Sequence, residues 1–193
     1  ALSGEEESAG LSLEAPQVRN RIAATGLAGL LKMKPAPLYL QEYASQIEVG
    51  NFDDDLTRLK DCDWVIEVVI EYLPIKQSLF EKVVPHLAPG TILSTNTSGL
   101  SVNAMAEGLP AEVRKNFLVT HFFNPPRYLR LFEIIPTPDT KPEVIDFFMH
   151  YGDVFLGKQT VLAKDTPAFI GNRIGVYAMA KIYQLTTDLG LPI

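Results

Sequence analysis

Trp64-Val65-Ile66-Glu67-Val68-Val69-Ile70, then residues 73–87, then Thr91-Ile92-Leu93-Ser94-Thr95, form the stretch that decides the fold. The first run is rich in β-branched residues and has the length of a strand. The second has helical spacing, with Pro74 in its first turn and Pro89-Gly90 after it. The third reads as a strand again. Strand, helix and strand in this order make a βαβ unit, whose strands pair in parallel.

The alternation continues outward. Residues 102–108 predict a short helix, and residues 117–122 a third strand closed by Asn124-Pro125-Pro126. Residues 131–135 predict a fourth strand closed by Pro136, residues 142–156 a helix ending at Gly157, and residues 160–163 a further strand. A long helix is expected over residues 169–189, with Gly190 and Pro192 as stop signals. Upstream, Ile22, Leu27, Leu30, Leu31 and Met33 predict one helix over residues 18–34, halted by Lys34-Pro35-Ala36-Pro37. Residues 40–55 read as irregular, with a turn at Gly50-Asn51, and residues 1–16 as a polar, acidic loop or mobile end. The fold class is therefore α/β with a largely parallel sheet. Such sheets bind ligands beyond the carboxyl ends of their strands.

Composition narrows the function. The chain has 193 residues, 47% hydrophobic and 21% charged, which is a globular balance and not a disordered one. Its 17 basic and 23 acidic residues give a net charge of −6, so a nucleic-acid partner is not expected. The single cysteine, Cys62, excludes an internal disulfide framework and nearly excludes a cysteine-based zinc site; no metal is expected. Apolar runs fall far short of the roughly 18 residues of a membrane span. Glu5, Glu6 and Glu7 stand where a secretory signal would carry basic residues.

Phosphate motifs do not survive inspection. None of the 13 glycines lies two residues from another, so G-x-G-x-x-G is absent. Gly152 to Gln159 imitates a phosphate loop, but a helix precedes it and a strand follows, the reverse of what places helix-start amides on a phosphate. Asn96-Thr97-Ser98 fits a glycosylation sequon, a reading with little weight in a chain without a signal.

Polar residues gather at the predicted strand ends instead. Glu71 ends the first strand and Lys76 follows one turn into the next helix. Asn96-Thr97-Ser98 follows the second strand, His121 ends the third, and Asn172 lies near the start of the last helix. Each alone is an ordinary turn or capping residue. Glu133 differs, because a carboxylate inside Leu131-Phe132-Glu133-Ile134-Ile135 needs a partner. His121 is a natural one, and a histidine oriented by a buried carboxylate is the arrangement of a general base.

These motifs resemble the series found in the 3-hydroxyacyl-CoA dehydrogenases. Asp63 to Lys76, Thr91 to Ser101, His121-Phe122-Phe123-Asn124-Pro125, Leu131 to Ile135, and Asp165-Thr166-Pro167-Ala168-Phe169-Ile170-Gly171-Asn172-Arg173 occur in the family's order and approximate spacing. The resemblance runs from about Val18 to the end of the chain. The insertion over residues 32–55, with its Lys-Pro-Ala-Pro, is similar to a long bacterial form fused to an enoyl-CoA hydratase module.

The resemblance implies NAD as cofactor, a fatty acyl-CoA as substrate, and oxidation of its 3-hydroxyl within β-oxidation. It implies His121 as base and Glu133 as its paired carboxylate, with Ser98 and Asn172 around the substrate oxygen. Glu71, Lys76, Asn96, Asn124 and Val68 match positions around the cofactor. It further implies a homodimer for the full-length enzyme and a bacterial cytoplasmic location.

Two departures shape the expected architecture. The family begins with a strand, a glycine-rich turn, a helix and a second strand, none of which is found here. Only the first helix of its all-α C-terminal domain is found. The chain thus reads as a central segment: residues 1–164 as a Rossmann-type doubly wound, mostly parallel sheet lacking its first βαβ unit, and residues 165–193 as the start of the helical substrate and dimerisation domain. The other readings are a dehydrogenase of small hydroxy acids, or a non-catalytic dehydrogenase-derived binding domain.

The missing glycine turn generates a prediction for the 193-residue chain by itself. It should bind NAD weakly at best and turn over no hydroxyacyl-CoA, because the pyrophosphate's usual anchor is absent. Calorimetric titration with NAD, and absorbance of the reduced cofactor, check this; tight binding with turnover contradicts it.

Overall fold

The computed structural model describes residues 1–191; Pro192, read as a stop signal, lies outside the described residues. Five strands, β1 (Trp64–Glu67), β2 (Ile92–Thr95), β3 (Phe117–Phe122), β4 (Leu131–Pro136) and β5 (Gln159–Leu162), form one sheet in the order β1-β2-β3-β4-β5. All neighbours are parallel except β3 and β4, which are antiparallel. The first three strands therefore end on the edge where β4 begins.

Helices cover both faces of the sheet. On one face, α4 (Leu73–Val83) and α5 (Val102–Ala106) bury Phe80, Val83, Val102 and Met105 against Leu93, Val119 and Ile135. On the other, α7 (Pro142–Val154) brings Val144 and Phe148 onto Leu118, Phe132 and Ile134. The side chains of a strand alternate between faces. His121 and Glu133 thus share the α4/α5 face with Val119 and Ile135.

The structure corrects several boundaries. The acidic start holds a helix, α1 (Gly4–Ser8), whose capping box pairs Ser3 with Glu6. The single helix expected over residues 18–34 is two, α2 (Pro16–Arg19) and α3 (Arg21–Leu30), broken at Asn20, whose side chain accepts from Asn51. β1 stops at Glu67 because its ladder with β2 ends at the pair Glu67–Thr95; Glu71 therefore lies beyond the strand. α4 gives way at Val83 to a 3-10 turn containing Pro85, which cannot donate to a helical ladder. A short α6 (Ala111–Arg114), not expected, precedes β3. The last helix, α8 (Gly171–Asp188), starts two residues late because Ala168 and Phe169 have φ of 61° and 47°.

Gly152 sets how closely α7 approaches the sheet. A Cβ there would sit 2.5 Å from Thr160 Cγ2 and 2.8 Å from Phe132 Cδ1. Gly152→Ala should therefore cost about 1–3 kcal/mol of stability, as overpacked cores do. An unchanged denaturation midpoint would show that the helix can shift freely.

Candidate active site

His121 and Glu133 are registered neighbours on β3 and β4. His121 Nδ1 lies 2.7 Å from Glu133 Oε2. Glu133 is 0% exposed, and its chain neighbours Phe132 and Ile134 are buried on the opposite face of the sheet. Its other oxygen, Oε1, accepts from Ile170 N at 3.0 Å and Gly171 N at 2.8 Å. Those amides open α8, where the helix dipole favours a negative charge. A carboxylate can only accept, so with Glu133 as a carboxylate the shared proton sits on His121 Nδ1 and Nε2 is the ring nitrogen left to act as a base.

His121 is itself buried, 4% exposed. No described residue hydrogen-bonds to Nε2, yet no buried side-chain nitrogen or oxygen among the described residues lacks a partner, so Nε2 keeps some contact with solvent. Phe123 and Phe169 flank the imidazole, their ring centroids 4.4 and 5.7 Å away.

A second polar cluster lies across the sheet edge. Lys76 is 1% exposed, and its ammonium donates to both oxygens of Glu67, at 2.9 and 2.8 Å. Thr95 Oγ1 donates to Glu67 Oε2 at 2.6 Å. Glu71 Oε2 lies 3.3 Å from the same ammonium, with its side chain 43% exposed. Glu71 Oε1 accepts from Ser98 N at 2.8 Å and from Thr97 Oγ1. Burial pushes the Glu71 carboxyl up, but the bonds from Thr97 and Ser98 and the Lys76 charge outweigh it and hold it below the ordinary carboxylate range.

Asn96 joins the two clusters. Its backbone N donates to Glu67 O at 2.9 Å, and its Oδ1 accepts from Phe122 N, beside His121, at 2.8 Å. Ser98 is exposed on the same turn, and Asn172 follows the Gly171 amide that reaches Glu133. Asn124 is exposed three residues after His121, on a loop held by Lys158, whose buried ammonium donates to Leu129 O at 2.8 Å and to Pro126 O. Val68 stands apart from His121. It is 68% exposed and lines a cavity of about 550 Å³ along the open edge of β1, with Ile22, Phe52 and Leu59.

Glu67 is the residue that sequence reasoning missed. The signal was present: a carboxylate within Trp64-Val65-Ile66-Glu67-Val68-Val69-Ile70 needs a partner as much as Glu133 does. Among the described residues no group of three or more His, Cys, Asp or Glu is arranged to hold a metal. No described helix is long and apolar enough to cross a membrane.

A mostly parallel sheet with polar groups at the carboxyl edge of its first three strands defines an α/β class that binds ligands beyond the strand ends. Comparison with known proteins makes this specific. The family described as "3-hydroxyacyl-CoA dehydrogenase, NAD binding domain" matches residues 13–166, and the chain belongs to it. A Bacillus subtilis (strain 168) protein named probable 3-hydroxyacyl-CoA dehydrogenase is 48% identical over 92% of the chain, which spans 23% of that protein. The peroxisomal bifunctional enzyme of Danio rerio is 30% identical over 86% of the chain, again 23% of its own length. The solved 3-hydroxyacyl-CoA dehydrogenase of Archaeoglobus fulgidus superposes with a TM-score of 0.65 at 29% identity, over 77% of this chain and 49% of that one. The chain thus spans half or less of each of these relatives.

The buried pair generates the prediction for this site. Glu67→Leu leaves the Lys76 ammonium without its main partner, which should cost about 3–5 kcal/mol. Adding Lys76→Met should recover most of that loss. Equal denaturation midpoints for the single and double variants would show that the pair is not coupled.

Proposed function

We propose that the full-length protein containing this chain oxidises a (3S)-3-hydroxyacyl-CoA to the 3-oxoacyl-CoA in fatty acid β-oxidation. The observation that carries the reading is the pairing of His121 Nδ1 with Glu133 at 2.7 Å near the end of β3, with no described residue bonded to Nε2.

His121 Nε2 takes the proton of the substrate 3-hydroxyl as C3 loses hydride and its oxygen becomes a carbonyl. Glu133 keeps the ring in the required tautomer and stabilises the imidazolium that forms. The exposed Ser98 hydroxyl and the Asn172 amide hold the substrate oxygen. Glu71, Lys76, Asn96, Asn124 and Val68 serve the nicotinamide side. The ionised, half-exposed Glu71 suits ribose hydroxyls, and the exposed Val68 and Ile70 offer an apolar wall. Bound NAD supplies the hydride acceptor.

The rest of the architecture follows the same reading. Residues 1–164 belong to the NAD-binding domain, and residues 165–193 begin a helical substrate and dimerisation domain. In support, α8 buries no residue and exposes Ile174, Tyr177, Ile182 and Tyr183, as a helix awaiting a packing partner would. The full-length enzyme is then a homodimer of the bacterial cytoplasm, and this reading is compatible with a fused enoyl-CoA hydratase module, some relatives being named as multifunctional enzymes.

In the full-length protein, His121→Ala should lower kcat at least about 10²-fold, the scale of general base catalysis, and leave acyl-CoA binding little changed. Steady-state oxidation of hydroxyacyl-CoA, with short hydroxy acids for comparison, measures this. Near-normal turnover by the variant removes His121 from the mechanism, and activity confined to small hydroxy acids replaces the substrate.

A further inference from the structure

Asp165 lies between β5 and α8, far in sequence from the residues it binds. Its Oδ2 accepts from Ser101 Oγ at 2.7 Å, Asn103 Nδ2 at 2.6 Å and Asn103 N at 3.1 Å; its Oδ1 accepts from Val102 N at 3.1 Å. One carboxylate thus closes the start of α5, which directly follows the turn bearing Asn96 and Ser98. The first amides of a helix need acceptors, but a local side chain usually meets that need, and Ser101 already caps Ala104 N. Four bonds from a residue 62 to 64 positions away do more than end a helix.

A strained turn lies just beyond Asp165. Ala168 and Phe169 have φ of 61° and 47°, a region that side chains with a Cβ disfavour and that persists only where the surroundings enforce it. Three features enforce it here. Asp165 fixes the turn's entry. The ring of Phe169 is buried in the α4/α5 core. The exit is fixed by the Ile170 and Gly171 amides on Glu133 Oε1. Gly99 permits the contact between the two turns, since a Cβ there would lie 3.3 Å from Ala168 N and 3.5 Å from its Cα. The Asn96–Ser98 turn, the strained turn and the His121–Glu133 pair are therefore one connected body.

We propose that Asp165 is a positioning residue: by tying the strained 165–171 turn to the start of α5, it aims the Ile170 and Gly171 amides at Glu133 and so aligns His121 with the Asn96–Ser98 turn. The kinetic part of this inference rests on the dehydrogenase reading; the structural part does not. Releasing Asp165 lets Ala168 and Phe169 relax to ordinary φ, which withdraws the two amides from Glu133. The carboxylate then turns, and Nε2 loses its aim.

The test reads the hydrogen-bonded His121 Nδ1 proton by NMR, assigned by its loss in His121→Gln, alongside kcat of the full-length protein. Asp165→Ala should abolish the exchange-protected signal and lower kcat by about 10²-fold, the scale for ångström misplacement of a catalytic group. Asp165→Asn, which keeps one acceptor oxygen, should restore part of both. Val83→Ala, a core truncation on α4, supplies a destabilised control that should leave the signal in place. If Asp165→Ala lowers the melting temperature as the control does, yet preserves signal and kcat, Asp165 is only a helix cap and the proposal is overturned. Should Asp165→Ala not fold, Asp165→Asn and Ser101→Ala decide, and an undisturbed signal in both overturns it equally. A signal lost in a full-length protein that has no dehydrogenase activity supports the coupling and removes the functional reading.

Discussion

A carboxylate with no exposure to water must find hydrogen bonds inside the protein, and at Glu133 that requirement organises the whole site. One oxygen takes His121, which fixes the register of β3 against β4. The other takes two amides at the start of α8, which fixes where that helix begins and how it meets the sheet. The strained pair Ala168 and Phe169 is the backbone consequence of that docking, and two such residues together cost about 2–6 kcal/mol. Strain of that size persists only when the surrounding structure over-determines it.

A second buried carboxylate repeats the logic on the other side of β2. Glu67 is 5% exposed and is satisfied by Lys76, Thr95 and the Val69 amide. Lys76, held there, lends its charge to Glu71 at the rim. The two centres differ in chemistry: an imidazole hydrogen-bonded through Nδ1 at one, a half-exposed carboxylate held below the ordinary range at the other. Asn96 spans them through Glu67 O and Phe122 N, so neither can shift without the turn between them. On the proposed function, a general base beside a polar rim needs that rigidity, since misplacement by an ångström is costly to catalysis.

Much of this was legible in the sequence because its signals are local. β2, β3 and β4 are short apolar runs closed by Asn or Pro, and the structure has them within a residue of their expected bounds. The Glu133–His121 contact followed from asking where a carboxylate in an apolar strand finds a partner. What escaped depends on distant pairing. β1 ends early because β2 offers no partner past Thr95, which the continuing Val68-Val69-Ile70 run does not announce. The late start of α8 is set by Asp165 and Glu133, whereas Ala168 taken alone favours helix. Glu67 lies in the middle of its apolar run, where no strand-end signal marks it, although its apolar neighbours carry the same warning as those of Glu133.

The site turns on the tautomer and orientation of a single ring. Long-range proton–nitrogen correlation spectra of the histidines read both directly, with His121 assigned by substitution. The account predicts a neutral His121 protonated at Nδ1 with Nε2 bare, and loss of that preference in Glu133→Leu. A His121 protonated at Nε2, or one indifferent to Glu133, would contradict it.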